Sequence, residues 1–194
     1  MPTYIFATNN KHKLEEVQYI LKDIVRISGL DELGFSDEIP EEQETLNGNA
    51  AQKAMFIYNK FGVNCFADDT GLEIEALNGE PGVYSARFAG ENCTFDDNIN
   101  LVLKKMTGMR NRKARFRTVI ALVEAGNVLF FEGAINGTII TEKRGNKGFG
   151  YDPVFIPEGF DRTFAEMSMN EKNSVSHRAK AVAALYNYLK SKNE

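Results

Sequence analysis

The stretch from Phe116 to Glu132 constrains the fold more than any other part of the chain. Two runs rich in β-branched and aromatic residues flank Ala125-Gly126-Asn127, which predicts an antiparallel hairpin. Around it the chain alternates between strand and helix. An apolar strand over Tyr4–Ala7 leads through Thr8-Asn9-Asn10 into a helical stripe of Leu14, Val17, Ile20 and Leu21. Ile24–Ile27 reads as a second strand, and the acid-rich segment 31–44 as a surface loop. Thr45 predicts the cap of a helix to about Phe61, stopped by Gly62. Cys65-Phe66-Ala67 reads as a short strand ending at Asp68-Asp69-Thr70-Gly71, with Leu72–Ala76 as another. A Gly/Pro loop from Asn78 to Ala89 precedes a helix from Thr94 to about Met106. A strand near Val154–Ile156 and a last helix from about Ser176 to Lys190 complete the pattern. An antiparallel pair inside an alternating chain implies an α/β fold with α+β character and a mixed sheet. No repeat or linker divides the 194 residues, so 1–194 reads as a single domain.

Composition narrows the chemistry. Lys plus Arg number 23 against 27 Asp plus Glu, a net charge of −4, which argues against a nucleic-acid coat. The basic run 104–117 reads as a solvated loop and strand edge rather than a nucleic-acid patch. Two cysteines and two histidines without a CxxC pair argue against structural zinc. The apolar run Tyr4–Ala7 is too short for a leader or a membrane span, so the expected location is cytoplasmic.

Four segments carry chemistry. Thr8-Asn9-Asn10 opens a helix bearing Lys11 and Lys13, and a helix start with a lysine suits an anion. GxxxxGK[ST] is absent, so this is not a Walker A loop. Asp68 and Asp69 are adjacent carboxylates that repel unless a cation or donors neutralise them. Their hard oxygens suit Mg2+ together with substrate phosphates, and the acidic loop near Glu41 can add a ligand. The aspartyl-phosphatase motif DxDx[TV] is ruled out because the two acids are not separated by a residue. Gly145-Asn146-Lys147-Gly148-Phe149-Gly150-Tyr151-Asp152-Pro153 offers aromatic faces on a glycine-rich loop, on which a base could stack. Glu171 through Arg178 sets Lys172, His177 and Arg178 at the start of the last helix, where cations suggest a bound anion.

Taken in order, these segments resemble the inosine triphosphate pyrophosphatase family over nearly the whole chain. The resemblance rests on Thr8-x-Asn10-x-x-Lys13, Asn49-Ala50-x-x-Lys53-Ala54 and Ala67-Asp68-Asp69-Thr70-Gly71-Leu72. It continues through Pro81-Gly82-x-Tyr84-Ser85-Ala86-Arg87, Phe149-Gly150-Tyr151-Asp152-Pro153, Ala165-Glu166-Met167, Glu171-Lys172-Asn173 and Ser176-His177-Arg178. Asn9 and Gly48 depart from it, since the family often has Gly and commonly has Glu at those places.

The resemblance implies an elongated mixed sheet flanked by helices, two lobes around a nucleotide cleft, and a homodimer. It also implies Mg2+-dependent hydrolysis of non-standard purine nucleoside triphosphates (ITP, dITP, XTP) to the monophosphate and pyrophosphate. No nucleic acid or membrane partner is expected. Asp69 is marked as the proton acceptor and, with Glu41, as a metal ligand, Asp68 being a supporting ligand or base. Glu42 and Glu44 lie close enough in sequence to compete for the place of Glu41. Thr8, Asn10 and Lys13 would hold the triphosphate, and Asn9 and Thr70 would also bind substrate. Phe149, Gly150, Tyr151, Asp152, Lys172, His177 and Arg178 would surround the base. Two other classes stay open at this point, a non-catalytic nucleotide sensor and a nucleic-acid binder using the run 104–117.

Overall fold

The computed structural model describes residues 3–192, which form seven strands, five α-helices and short 3-10 turns. The strands are β1 (Thr3–Phe6), β2 (Arg26–Ser28), β3 (Cys65–Ile74), β4 (Pro81–Gly82), β5 (Lys113–Glu124), β6 (Asn127–Ile139) and β7 (Phe155–Pro157). The helices are α1 (Lys11–Leu21), α2 (Leu46–Phe61), α3 (Phe95–Lys105), α4 (Met169–Val175) and α5 (His177–Ser191). The strands follow the order β2-β1-β3-β5-β6-β7, with β4 paired to β3. β1 runs parallel to β2 and β3, whereas β4 on β3 and β7 on β6 are antiparallel, so the sheet is mixed. Ala125 and Gly126, at φ 48° and 78°, connect β5 to β6 in a tight hairpin.

The chain divides into two compact units, and β3, β5 and β6 each begin in one and end in the other. One unit comprises the described residues up to Asp69, Thr118–Gly133 and those from Arg178 on. Its core joins Tyr4 and Phe6 of β1, Phe66 of β3, Ile120 and Leu122 of β5, Val17 and Leu21 of α1, and Val182, Leu185 and Leu189 of α5. Phe6 stacks on Phe66 at 4.7 Å, in register across the parallel pair. The other unit comprises Thr70–Arg117 and Ala134–His177. Its core gathers Leu72, Ile74, Ile99, Val102, Met106, Phe116, Phe155 and Phe164.

Local chemistry sets the boundaries. Thr45 accepts from the Gly48 amide at 3.0 Å, and Gly62 ends α2 at φ 66° with its amide on the Tyr58 carbonyl. Thr94 and Asp97 form a reciprocal cap on α3.

Two expectations are corrected. The expected strand end at Asp68-Asp69-Thr70-Gly71 is absent: β3 runs unbroken from Cys65 to Ile74 and carries both acids in mid-strand. Gly71 serves a close approach there, since a Cβ would stand 2.8 Å from the Gly82 carbonyl oxygen of β4. Lys172 is not on the last helix. It sits on α4, which Ser168 and Glu171 cap and which Ser176 separates from α5.

Candidate active site

Adjacent residues of a strand point to opposite faces, and β3 uses that period to separate two charges. On one face the Asp68 carboxylate accepts from Lys13 Nζ at 2.8 Å and from Arg178 Nε at 3.2 Å. Arg178 also donates through Nη1 to Glu16 of α1. Asp68 is 2 % exposed. Burial alone would raise its proton affinity, but Lys13 first, then Arg178, hold it well below the ordinary carboxylate range. Burial pulls Lys13 below the usual lysine value despite Asp68. Glu16, Arg178, Asp68 and Lys13 thus form a chain of alternating charges joining α1, α5 and β3.

On the other face Asp69, 7 % exposed, accepts from Asn49 Nδ2 at 3.1 Å and stands 3.8 Å from Lys53 Nζ. Lys53 also donates to the Glu41 carboxylate. Burial raises the proton affinity of Asp69; Lys53 opposes that and the like charge of Glu41 reinforces it. Lys53 keeps its proton above the usual range because Asp69, then Glu41, outweigh its burial. The acidic loop is docked on α2 by side-chain amides. Asn49 Oδ1 accepts from the Gln43 amide at 2.9 Å, and Gln52 Oε1 accepts from the Glu42 amide at 2.9 Å. Gln52 holds the Glu42 side chain as well, which leaves Glu41 as the acid of this loop facing Asp69 across the ammonium.

The turn after β1 is less open than a bare helix start. Asn10 is the cap of α1, its Oδ1 accepting from the amides of His12 and Lys13, so these two donors are taken. Thr8 Oγ1 accepts from the Asn10 amide, and Asn9 Nδ2 donates to the Asp37 carbonyl. The ammonium of Lys13 carries three donors, enough for Asp68 and a further acceptor. Thr70 follows Asp69 on β3 and is half-buried.

The second unit holds the remaining expected residues except Arg178. Asp152 is buried, and its Oδ2 accepts from Lys172 Nζ at 2.7 Å and from the Phe149 amide at 3.0 Å. Lys172 Nζ lies 4.9 Å from the centre of the half-buried Phe149 ring. Gly150 takes φ 60°. Tyr151 is buried with its hydroxyl donating to the Ser85 carbonyl at 2.8 Å, which makes it a packing residue rather than a stacking face. His177 is buried too, stacked on Phe116 at 4.6 Å. The expected cluster of Lys172, His177 and Arg178 therefore has three separate settings.

The basic run offers no uniform cationic surface. Lys105 pairs with Glu80, Arg112 donates to the carbonyls of Met106, Ile139 and Ile140, and Arg115 and Arg117 converge on Glu73.

Sequence reading assigned no role to Glu16, Asn49, Gln52 or Lys53. Helical spacing carried the signal: Glu16 lies one turn after Lys13, and Gln52 and Lys53 one turn after Asn49.

The two acids of β3 thus have different settings, Asp68 held by two cations and Asp69 facing a second acid across an ammonium. A profile of the Ham1 family matches residues 4–188, and the chain belongs to that family. A "dITP/XTP pyrophosphatase" of Porphyromonas gingivalis is 55 % identical over 190 residues, covering 97 % of this chain and 98 % of the relative. One of the same name from Flavobacterium johnsoniae is 49 % identical, covering 95 % and 96 %. Among solved structures, the Ham1 protein of Staphylococcus aureus superposes with a TM-score of 0.89 at 36 % identity, covering 98 % of this chain and 99 % of that one. A HAM1 protein of Coxiella burnetii gives 0.90 at 38 % identity, covering 98 % and 100 %. Among the described residues no helix is long and apolar enough to cross a membrane.

Proposed function

We propose that this protein hydrolyses non-standard purine nucleoside triphosphates (ITP, dITP and XTP) to the monophosphate and pyrophosphate. The observation that carries the reading is the split carboxylate pair, with Asp68 spent on Lys13 and Arg178 while Asp69 faces Glu41 across Lys53. Full-length relatives named dITP/XTP pyrophosphatase support the substrate class.

The donor set fits Mg2+. Glu41 and Asp69 offer hard carboxylate oxygens, both within reach of Lys53 Nζ, and Mg2+ is commonly held by one or two carboxylates completed by substrate phosphates. Glu41 and Asp69 would hold it, and when bound it would draw charge from the phosphate oxygens and steady the leaving group. Asp69 orients the attacking water and takes its proton as the water oxygen bonds to the α-phosphorus. The bond from that phosphorus to the bridging oxygen breaks, and pyrophosphate leaves with the electron pair. Lys13, beside Thr8, Asn9 and Asn10, meets the charge of the phosphate chain. Asp68 holds Lys13 in place and takes no proton. Thr70 lines the same stretch of β3.

For the base, Phe149 supplies a stacking face and Lys172, tethered by Asp152, supplies donors for a 6-keto oxygen. Tyr151, Gly150 and His177 shape that loop and its support, and Arg178 acts through Asp68. Adenine presents an amino group at the same place, and an unsatisfied buried donor costs about 1–3 kcal/mol. A homodimer in the cytoplasm completes the reading; the two thiols, Cys65 and Cys93, are free, as a reducing compartment keeps them.

Turnover of ITP with Mg2+ in 18O-labelled water, followed by 31P NMR, tests the reaction. Pyrophosphate and labelled IMP are expected. IDP and inorganic phosphate would overturn the proposal.

A further inference from the structure

One side-chain amide connects the two acids on the Lys53 face. Asn49 is 1 % exposed, and both ends of its amide are engaged. Nδ2 donates to Asp69 Oδ2 at 3.1 Å, and Oδ1 accepts from the backbone amide of Gln43 at 2.9 Å. The chemistry of the partners sets the orientation. An ionised carboxylate only accepts and a backbone N–H only donates, so a flipped amide would face repulsion at both ends. Gln43 lies two residues from Glu41, in the loop that brings Glu41 to Lys53. The same rigid group therefore touches one acid directly and the backbone beside the other.

Resting on the reading that Glu41 and Asp69 share a cation, we propose that Asn49 is a positioning residue that sets the spacing of these two carboxylates. Its neighbour Gln52 is the natural contrast. Gln52 holds the same loop, through the amide and side chain of Glu42 at 2.9 and 3.3 Å, and the structure gives it no bond to Asp69. If α2 needed only to anchor the loop, the two amides would be interchangeable in effect. If Asn49 couples the loop to Asp69, losing it disturbs both acids together. Partners that orient metal ligands typically contribute about 10–100-fold in affinity or activity when removed.

The test compares Asn49→Leu, which keeps the shape and removes both hydrogen bonds, with Gln52→Ala. The first readout is binding of Mn2+ alone, without nucleotide, by calorimetry or electron paramagnetic resonance. The second is the split between kcat and KM for ITP, and thermal melting reports folding of each variant. Asn49→Leu is expected to weaken Mn2+ binding at least about tenfold and to lower kcat similarly, with KM shifting much less. Gln52→Ala is expected to bind Mn2+ nearly as the wild type does. Should Asn49→Leu fail to melt cooperatively, Asn49→Ser, too short to span both partners, takes its place under the same criteria. Equal Mn2+ affinities in the two variants, a loss confined to KM, or no saturable Mn2+ binding by the wild type would overturn the proposal. Wild-type protein that binds Mn2+ but releases no pyrophosphate from ITP would refute the functional reading, and the Mn2+ comparison would still judge Asn49.

Discussion

Isosteric substitution of the two adjacent acids of β3 should produce opposite outcomes. Asp68→Asn removes the carboxylate at 2.8 Å from Lys13 and 3.2 Å from Arg178, in a position only 2 % exposed. Arg178 then keeps Glu16 as its partner, whereas Lys13 loses the carboxylate that compensates its charge. Removing one partner of a buried pair costs about 3–5 kcal/mol. For a chain of this length, that lowers the melting temperature by about 6–20 °C. Asp69→Asn is different. Burial and the charge of Glu41 already disfavour the Asp69 carboxylate, and the amide oxygen of an asparagine can still accept from Asn49. Lys53 keeps Glu41 as its counter-ion. Asp69→Asn should therefore melt within about 3 °C of the wild type while losing the roughly 10²–10⁴-fold that a general base contributes. Differential scanning calorimetry of both variants, with turnover measured well below either transition, gives the comparison. Equal melting of Asp68→Asn and wild type would refute the charge-chain argument. An Asp69→Asn protein as unstable as Asp68→Asn would refute the division of roles.

Gly148→Ala should reduce discrimination between ITP and ATP by about tenfold. Its Cβ would lie 2.0 Å from Asp152 Oδ2, at a φ of +72°, and so displace the acid that holds Lys172; an unchanged ITP-to-ATP ratio would remove that loop from base selection. Native protein treated with a thiol reagent near neutral pH should label Cys93 alone. Burial pushes the Cys65 thiol up to about 12, so rapid modification of two equivalents would contradict the buried position of Cys65. Glu171 should titrate at about 2, because the Ser168 amide first and Arg162 next favour its ionised form. Its contribution to the α4 cap is then complete above the ordinary glutamate range and lost as pH falls through that lower value; a carbon NMR titration at the ordinary glutamate midpoint would refute it.

Much of this was legible in local chemistry. Thr45, Gly62 and Thr94 announce their helix ends because capping depends on residues within one turn. The hairpin was legible for the same reason, although β5 and β6 extend beyond the predicted runs. β3 was read as two strands because four consecutive polar or glycine residues look like a strand end. What keeps them in a strand is pairing with β1, β4 and β5, and the cations that neutralise Asp68 lie 55 and 110 residues away, in Lys13 and Arg178, where no local pattern reports them. The short helix α4 did leave a signal, the Ser168-to-Glu171 capping box, obscured by its closeness to α5. Asn49 and Lys53 lay within a motif already noted, yet their roles depend on which loop packs against α2.

Competitive turnover of ITP, XTP, GTP and ATP at one Mg2+ concentration tests selective pyrophosphohydrolysis at the Asp69 site. Pyrophosphate and monophosphate are scored for each nucleotide, with Asp69→Asn as the reference. kcat/KM for ITP or XTP should exceed that for ATP at least about a hundredfold, the ratio expected from about two unsatisfied donor groups at the adenine amino position. ATP cleaved as efficiently as ITP, or activity persisting in Asp69→Asn, would contradict it.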